Sequence, residues 1–516
     1  MNCKKRHFLL ALSAAAVIAT IGCEPARSPQ FVFDQSLVKQ AQLEVAASRD
    51  LAEKASTTER AEHEKIVTAK EEFLQNVVPQ RQQDITNVLT ALFGTPDLDL
   101  PPAQMKTLDG IWQSMGLDST KIKLAAGPSY SDQEGYAAGL YRRHCVHCHG
   151  VSGDGAGPTA MFLNPYPRDF RHGDFKFKST PLGDKPTDQD LRRTLIQGIP
   201  GTAMPSFKLL ATTEIDALIE YVKYLAIRGE TEKALVAEVT SFVPGDSLVD
   251  YASLESTLTD QREALQGNDL KAFLTSLDDL VGKFKDSKSV APLNLVADAE
   301  QLVRQADALA EQAAKAGNKT AQTALVAVKD ALTATVSSFR DGMNDRVNTA
   351  SVTRRKQAGE KVAIPPERPP VSESELDASI KLGRELFYGR GNCFSCHGPS
   401  AQGDGTKYVL NAEPGTTDAW PPDGPNQWIN ASLPPQTLRP RNLRTGVFRG
   451  GQRPMDVYRR ITLGIGKLMP AAPTGKSGIQ NDREYWALVD YVRTLQYELT
   501  PANGDGRRAV AHVASE

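Results

Sequence analysis

The stretch Cys145-Val146-His147-Cys148-His149-Gly150 determines how the rest of the chain is interpreted. Two cysteines separated by two residues and followed at once by a histidine form the C-x-x-C-H pattern, which is typical of covalent c-type haem attachment. The spacing suits the chemistry, because the two thiols add across the two vinyl groups of one haem and the adjacent imidazole ligates the iron. For a single occurrence, a redox cysteine pair or half of a zinc site would be the alternative.

The same pattern occurs again as Cys393-Phe394-Ser395-Cys396-His397-Gly398, and the segments that follow each motif are also alike. A Gly-Asp-Gly sequence, a pair of arginines and a Met-Pro pair follow in the same order: Gly153-Asp154-Gly155, Arg192-Arg193 and Met204-Pro205 after the first motif, and Gly403-Asp404-Gly405, Arg459-Arg460 and Met469-Pro470 after the second. Similarity in this order indicates a duplicated unit rather than two isolated cysteine pairs.

Length, charge and cysteine usage set the outer limits of the interpretation. A chain of 516 residues is too long for one hydrophobic core, so roughly three or more domains are expected. The net charge of −2 gives no basis for binding nucleic acid. Four of the six cysteines belong to the two motifs, and the other two, Cys3 and Cys23, lie near the N-terminus.

The first residues have the features of a secretory signal. Lys4-Lys5-Arg6 is basic, and Phe8 to Ile21 is an apolar run too short to span a bilayer. Gly22-Cys23 resembles a bacterial lipobox, although Thr20 stands where leucine is usual. We therefore predict a signal peptide over 1–22 and a lipid anchor on Cys23, which would hold an exported protein at the periplasmic face of a membrane.

The remaining chain divides by composition into five segments. The predicted segments are a tether and helical region over 23–130, a first haem unit over 131–229, a helical spacer with a Pro-rich linker over 230–372, a second haem unit over 373–500 and a disordered tail over 501–516. Residues 36–78 lack Gly and Pro and predict one long exposed helix. Near-heptad apolar spacing in the spacer predicts a local bundle or hairpin, with docking to a partner complex as the alternative.

Both units resemble class I cytochrome c domains, since each has a leading helix, a C-x-x-C-H motif, a loop-rich middle, a Met-Pro pair and a closing helix. The resemblance implies an all-α fold in which each unit encloses one haem c. The whole arrangement is similar to exported dihaem cytochromes c of bacterial respiratory chains, and it covers a little under half of the chain. Export agrees with this family, because bacteria attach c-type haem outside the cytoplasm.

The resemblance assigns the iron ligands residue by residue. His149 and His397 are the expected fifth ligands, and Met204 and Met469 are the expected sixth ligands. His/Met ligation raises the reduction potential relative to His/His ligation, so two fairly positive haems are expected. A few other residues stay open as sixth ligands: Met161 and His172 in the first unit, and Met455 in the second.

Three further residues or pairs are candidates for holding the haem or its ligands. Gly157-Pro158 resembles the family's Gly-Pro, whose carbonyl accepts the proximal histidine N–H; the second unit lacks this pair, so the partner of His397 stays open. Arg168 and Arg441 occupy matching places and would suit a haem propionate, although an ordinary surface arginine is the alternative.

The function these features predict is electron transfer by two haem c groups, with redox partner proteins of a respiratory chain and a membrane attachment through the N-terminal lipid. No substrate turnover is expected, because both irons have a predicted sixth ligand. A dihaem enzyme such as a cytochrome c peroxidase is the alternative, and it would need one labile sixth ligand. A scaffold subunit, in which the helical segments are primary and haem is structural, is a third interpretation.

Overall fold

A computed structural model describes residues 36–56, 59–94, 112–128, 130–131, 137–242, 248, 256, 259, 273–279, 292–347, 350–368, 371–406, 408–410, 419–420, 433–465 and 468–498. The predicted signal peptide, Cys23 and the tail over 501–516 lie outside these residues. Within the described ranges, no helix is both long enough and apolar enough to cross a membrane.

The described chain is mostly helical, at 63% helix, which confirms the predicted all-α class. The α-helices in chain order are α1 Ser36–Lys54, α2 Arg60–Glu72, α3 Val78–Phe93, α4 Ser119–Ala125, α5 Leu140–His144, α6 Val146–His149, α7 Asp188–Gln197, α8 Thr212–Thr240, α9 Pro292–Lys315, α10 Lys319–Val347, α11 Ala350–Lys356, α12 Glu373–Tyr388, α13 Phe394–His397, α14 Pro454–Leu463 and α15 Asp482–Thr494. Short strands form two small sheets: β1 Tyr130–Ser131 pairs antiparallel with β2 Ala137–Ala138, and β3 Tyr408–Leu410 pairs parallel with β4 Ala419–Trp420 and antiparallel with β5 Gln436–Leu438.

The first haem unit and the N-terminal helices share one hydrophobic core. Helix α8 lies at its centre, because its residues are buried on nearly every side from Ile215 to Ile227. The Tyr224 hydroxyl donates to the Phe93 carbonyl at 2.8 Å, which joins α8 to α3. The predicted long exposed helix over 36–78 is wrong. The structure divides it into α1 and α2, which pack together, and Leu37 is buried in the shared core.

The spacer contains a helical hairpin formed by α9 and α10, which turn at Gly317, where φ is +74°. Its apolar residues form a separate core that includes Leu325 and Leu332, both with no exposed surface. The hairpin is nevertheless not a detached spacer. Helix α8 runs through the predicted boundary at 229/230, and Val347 at the end of α10 joins the core of the first unit.

The second haem unit is built on helices α12 and α15, which cross in close contact. Gly383 allows this approach, because a Cβ at that position would overlap the Ala487 carbonyl. Asp490 is fully buried on α15 and accepts from Ser379 at 2.7 Å and from Arg368 at 2.7 Å. The ion pair with Arg368 attaches the Pro-rich linker to the unit that follows it.

The two haem units contact each other directly through polar and apolar groups. Tyr166 donates to the Pro434 carbonyl at 3.1 Å, and Gln436 donates to the Leu163 carbonyl at 2.7 Å. Tyr166 also packs with Leu438 in a small apolar cluster. These contacts place the loop after the first motif against the β5 strand of the second unit.

Candidate functional site

The first C-x-x-C-H motif lies at a break between two short helices. Cys145 ends α5, and α6 carries Cys148 and His149 before Gly150 stops it with φ +72°. The His149 N–H donates to the Cys145 carbonyl at 2.9 Å, so the cysteine and the histidine are held one helical turn apart. Both thiols are free, and burial raises the pKa of Cys145 to about 12, which keeps that thiol protonated at neutral pH.

The His149 imidazole is oriented by a backbone carbonyl and an aromatic ring. Its Nδ1 lies 3.0 Å from the Arg168 carbonyl oxygen, and its ring stacks on Phe170 with centroids 4.5 Å apart. A carbonyl only accepts, so Nδ1 is the protonated nitrogen. Burial lowers the pKa of His149 to about 4, so the neutral ring keeps an unshared pair on Nε2. That nitrogen is ready to ligate a metal.

The second motif is arranged in the same way. Its structure identifies the hydrogen-bond partner of His397, which the sequence left open. His397 Nδ1 lies 3.0 Å from the Arg441 carbonyl oxygen, and burial lowers the pKa of this imidazole as well. Cys393 and Cys396 form no disulfide bond and are half-buried. Arg168 and Arg441, which occupy matching places in the sequence, therefore have a common role: each orients the histidine of its motif. The group that does so is the main-chain carbonyl and not the side chain.

The expectation for Gly157-Pro158 is wrong, because the Arg168 carbonyl takes the proximal histidine N–H. Gly157 has a different role: its would-be Cβ would lie 2.5 Å from the Val146 carbonyl and 2.6 Å from that of His147. Gly405 packs in the same way, at 2.5 Å from the Cys396 carbonyl. Glycine is required at both places so that the loop can cross the back of the short helix that carries each motif.

The two loops also correspond in backbone conformation. Gly155 and Gly403 donate to the carbonyls of His149 and His397 respectively, each at 2.9 Å. In the sequence, the two Gly-Asp-Gly segments align Gly153 with Gly403. In the structure, the backbone hydrogen bonds show that Gly155 is the residue equivalent to Gly403. The Asp carboxylates of the two patterns still reach the same place, over the glycine that follows each motif histidine.

Each Met-Pro pair lies on a loop with the same anchor. The Ile199 N–H donates to the Met204 carbonyl at 3.1 Å, and the Ile465 N–H donates to the Met469 carbonyl at 2.7 Å. The glycine that ends the preceding helix leaves room for this turn, since a Cβ on Gly198 would lie 2.7 Å from the Met204 oxygen. Both methionines are half-buried.

The competing sixth ligands lie elsewhere. Met161 is 56% exposed and Met455 is 41% exposed. His172 Nε2 lies 3.7 Å from the Asp169 carboxylate. None of the three lines the cavity described next, which favours Met204 and Met469 on geometric grounds.

One cavity of about 820 Å³ connects the two units, and all of the predicted haem-site residues line it: Cys145, Cys148, His149, Arg168 and Met204 from the first unit, and Cys393, Cys396, His397, Arg441 and Met469 from the second. Their chemistry fits a haem in each unit. The site offers free thiol pairs, imidazoles fixed by a carbonyl, thioethers on anchored loops, and cations for propionates. Elsewhere in the described ranges, no three His, Cys, Asp or Glu side chains come together as a metal site would require.

Two cations of the cavity wall, Lys176 and Arg449, were missed at the level of sequence. Neither stands in a motif, but Phe175-Lys176 and Phe448-Arg449 follow the matched arginines at the same spacing, and this repeat was the signal that could have found them. The role of the Arg168 and Arg441 carbonyls was missed too. The matched positions of these arginines were the available signal, but a sequence does not reveal whether a side chain or a carbonyl is used.

Comparison with known proteins places the first unit in a class. Residues 136–226 match the Cytochrome c family, which implies covalently bound haem c and haem-based electron transfer by this domain. No curated protein matches the chain. Among solved structures, a chain of the Kuenenia stuttgartiensis reducing HAO-like protein complex Kustc0457/Kustc0458 is similar at a TM-score of 0.34 and 20% identity, over 71% of this chain and 97% of that one.

Proposed function

We propose that the chain is an electron carrier that holds one c-type haem at each C-x-x-C-H motif. The observation behind the proposal is the single cavity whose wall includes both cysteine pairs, both proximal histidines and both Met-Pro methionines. The repeat of the His–carbonyl bond in the second unit supports a second haem beyond the domain that matches the family.

The protein's residues would control how the haems exchange electrons. A bound haem supplies one-electron exchange between ferrous and ferric iron. The carbonyls of Arg168 and Arg441 hold the imidazoles in the tautomer that ligates through Nε2, and they increase its basicity. Met204 and Met469 would supply the other iron ligand in each unit, which would leave no open position for a substrate. Apolar lining such as Phe170 excludes water and favours the ferrous state.

We also propose that the chain is exported, anchored by a lipid on Cys23 at the periplasmic face of a membrane, and oxidised and reduced by partner proteins of a respiratory chain. The basic and apolar N-terminal residues before Gly22-Cys23 support this location. Replacing Cys23→Ala in the full-length chain is expected to move the haem protein from the membrane fraction to the soluble fraction. Retention of the variant in the membrane would contradict the anchor.

The ligand assignment is tested by replacing each methionine. Met204→Ala and Met469→Ala are each expected to remove about half of the near-infrared thioether absorption of the oxidised protein, and the double variant all of it. Met161→Ala and Met455→Ala are matched controls that should leave the band unchanged, because both side chains lie outside the cavity. A band that responds to a control variant would move the sixth ligand to that residue.

Carbon monoxide separates the carrier from the enzyme alternative. If both irons have a methionine, neither ferrous haem of the unmodified protein should bind the gas, whereas each Met→Ala variant should bind it at one haem. Ready binding to the unmodified protein would identify a labile sixth ligand and favour a peroxidase-type enzyme. A pyridine haemochrome assay that gives one haem per chain would contradict the dihaem proposal itself.

A further inference from the structure

The wall of the cavity carries a large excess of positive charge. Six lining residues are arginine or lysine: Arg168, Lys176, Arg439, Arg441, Arg449 and Arg460. Among the described residues that line it, the only carboxylate is Asp190. Asp190 is already engaged, since it accepts from the Ser179 N–H at 3.0 Å and the Ser179 hydroxyl at 2.9 Å. The positive charge of the cavity wall is therefore sufficient to bind several anionic groups.

Four of these cations, two from each unit, are linked by repulsion, and we name them the interface cluster: Arg168, Lys176, Arg441 and Arg449. Burial lowers the pKa of the Lys176 ammonium well below its ordinary value, and the charges of Arg168 and Arg449 lower it further. Burial also lowers the pKa of Arg449, with a further contribution from Arg441. The repulsion between Lys176 and Arg449 therefore crosses the contact between the units, while Arg168 acts on Lys176, and Arg441 on Arg449, within one unit.

Nearby carboxylates offset only part of this charge. Asp174 and Asp169 favour the charged form of Arg168. Asp169 is shared, however, because Arg171 binds both of its oxygens, at 3.0 and 2.7 Å. A concentration of like charges at the edge of a protein interior is unfavourable unless anions or hydrogen-bond acceptors meet it.

Two side chains of the cluster are placed to meet such an acceptor. The Arg449 Nε is buried and, within the described part of the chain, has no hydrogen-bond partner. The Arg441 Nε donates to the Val447 carbonyl at 2.8 Å, and this directs its guanidinium to the first unit's methionine loop. There, a Cβ on Gly201 would lie 2.6 Å from Arg441 NH2. Arg441 therefore contacts His397 of its own unit through its carbonyl, and its side chain lies beside the methionine loop of the first unit.

We propose that the interface cluster is a single carboxylate-binding site, shared by the propionates of the two haems. The inference rests on the proposed function, and it adds that the haems approach each other with their propionates at the contact between the units. A guanidinium and an ammonium supply the donors that carboxylates bind best, and a shared cluster would tie the reduction potential of each haem to cations from both units.

The test is a spectroelectrochemical titration of both haems in the full chain carrying Arg449→Gln. Loss of a cation disfavours the ferrous state, so both potentials should fall, each by roughly a tenfold change in its one-electron equilibrium constant, or 59 mV. Lys176→Gln, from the other unit, should also lower both. Lys381→Gln is the control, because it removes one charge from an exposed site on α12 and should change neither.

The outcomes separate this inference from the proposed function. If Arg449→Gln shifts one potential and Lys176→Gln shifts only the other, each haem has its own cations and the shared site is excluded. Unchanged potentials in both variants would also overturn it, while two haems per chain would leave the electron-carrier function intact. If Arg449→Gln fails to load haem, Lys176→Gln provides the same test, and Arg449→Lys, which keeps the charge, should load haem and leave both potentials unchanged.

Discussion

At the scale of single residues, each site depends on backbone groups that no side-chain pattern reveals. The proximal histidines are fixed by the carbonyls of Arg168 and Arg441, and the methionine loops by an isoleucine N–H. Substituting either arginine side chain leaves the carbonyl in place. The orientation of the imidazole should therefore survive changes that alter the charge of the cavity, which makes the two properties separable by mutation.

Gly198→Ala is expected to disturb methionine ligation in the first unit alone. At φ +66° and ψ −163° a side chain costs about 1–3 kcal/mol, and the new Cβ would lie 2.7 Å from the Met204 carbonyl oxygen. The loop must shift, so the thioether absorption should fall by about half while the covalent haem remains. The control is Gly183→Ala, which has the same kind of strain, at φ +88°, but no atom within 4 Å. Equal loss in both variants would assign the effect to backbone strain.

Residue types and spacing were sufficient to predict the thiols, the histidines and the methionines that line the cavity. They were not sufficient to fix the register of the repeat. Gly-Asp-Gly aligned two glycines that are not equivalent, because the Asp side chain can reach its place from either of two backbone positions. At the position equivalent to Gly153 the second unit has Ala401, which takes φ +58°. Gly153 and Ala401 therefore share a positive φ although the amino-acid type differs.

At the scale of elements, helix α8 is the largest departure from the predicted domain boundaries. The first unit was predicted to end at 229 with its closing helix, but the helix continues to Thr240. Its continuation buries Leu235 and Val239, and neither of them lines the cavity. Periodicity predicts that a helix forms. It does not predict where the helix ends when distant segments cover an additional turn.

The hairpin of α9 and α10 should be separable from the haem sites in stability. Leu332→Ala removes a side chain with no exposed surface from the hairpin core, at a cost of about 2–5 kcal/mol. Hydrogen exchange over 319–334 should become faster, while both haem potentials stay unchanged. Leu235→Ala on α8 is the comparison, since it lies in the core of the first unit. A change of potential in Leu332→Ala would show that the hairpin acts on the haems.

At the scale of the whole molecule, the two haem units form one body with one cavity between them. Sequence indicated two units and a spacer, and nothing in the spacing of residues predicted their contact. That contact joins loops distant in the chain, such as Arg460 with the Lys176 carbonyl at 3.0 Å and Arg193 with Asp456 at 3.4 Å. Interfaces of this kind depend on the final arrangement of many segments, so local patterns leave no trace of them.

Arg460→Met is expected to loosen this contact. The Arg460 guanidinium donates to the carbonyls of Lys176 and Lys178, and leaving buried carbonyls without a donor costs about 1–3 kcal/mol each. Hydrogen exchange should become faster in both 173–180 and 454–463, although the substitution lies in only one of them. Arg483→Met, at an exposed position on α15, should change neither segment. Faster exchange in 454–463 alone would argue against a coupled interface.

The order in which the chain is synthesised gives another meaning to the segment 354–363. This late segment holds a loop of the first unit, through Ala363 with Ser179 at 2.8 Å and Lys361 with Asp184 at 2.8 Å. A ribosome makes Cys145 and Cys148 long before it makes these partners. We therefore expect this loop to gain its two contacts only after the later residues have been made, so the first unit is complete only once the chain has grown past Ala363.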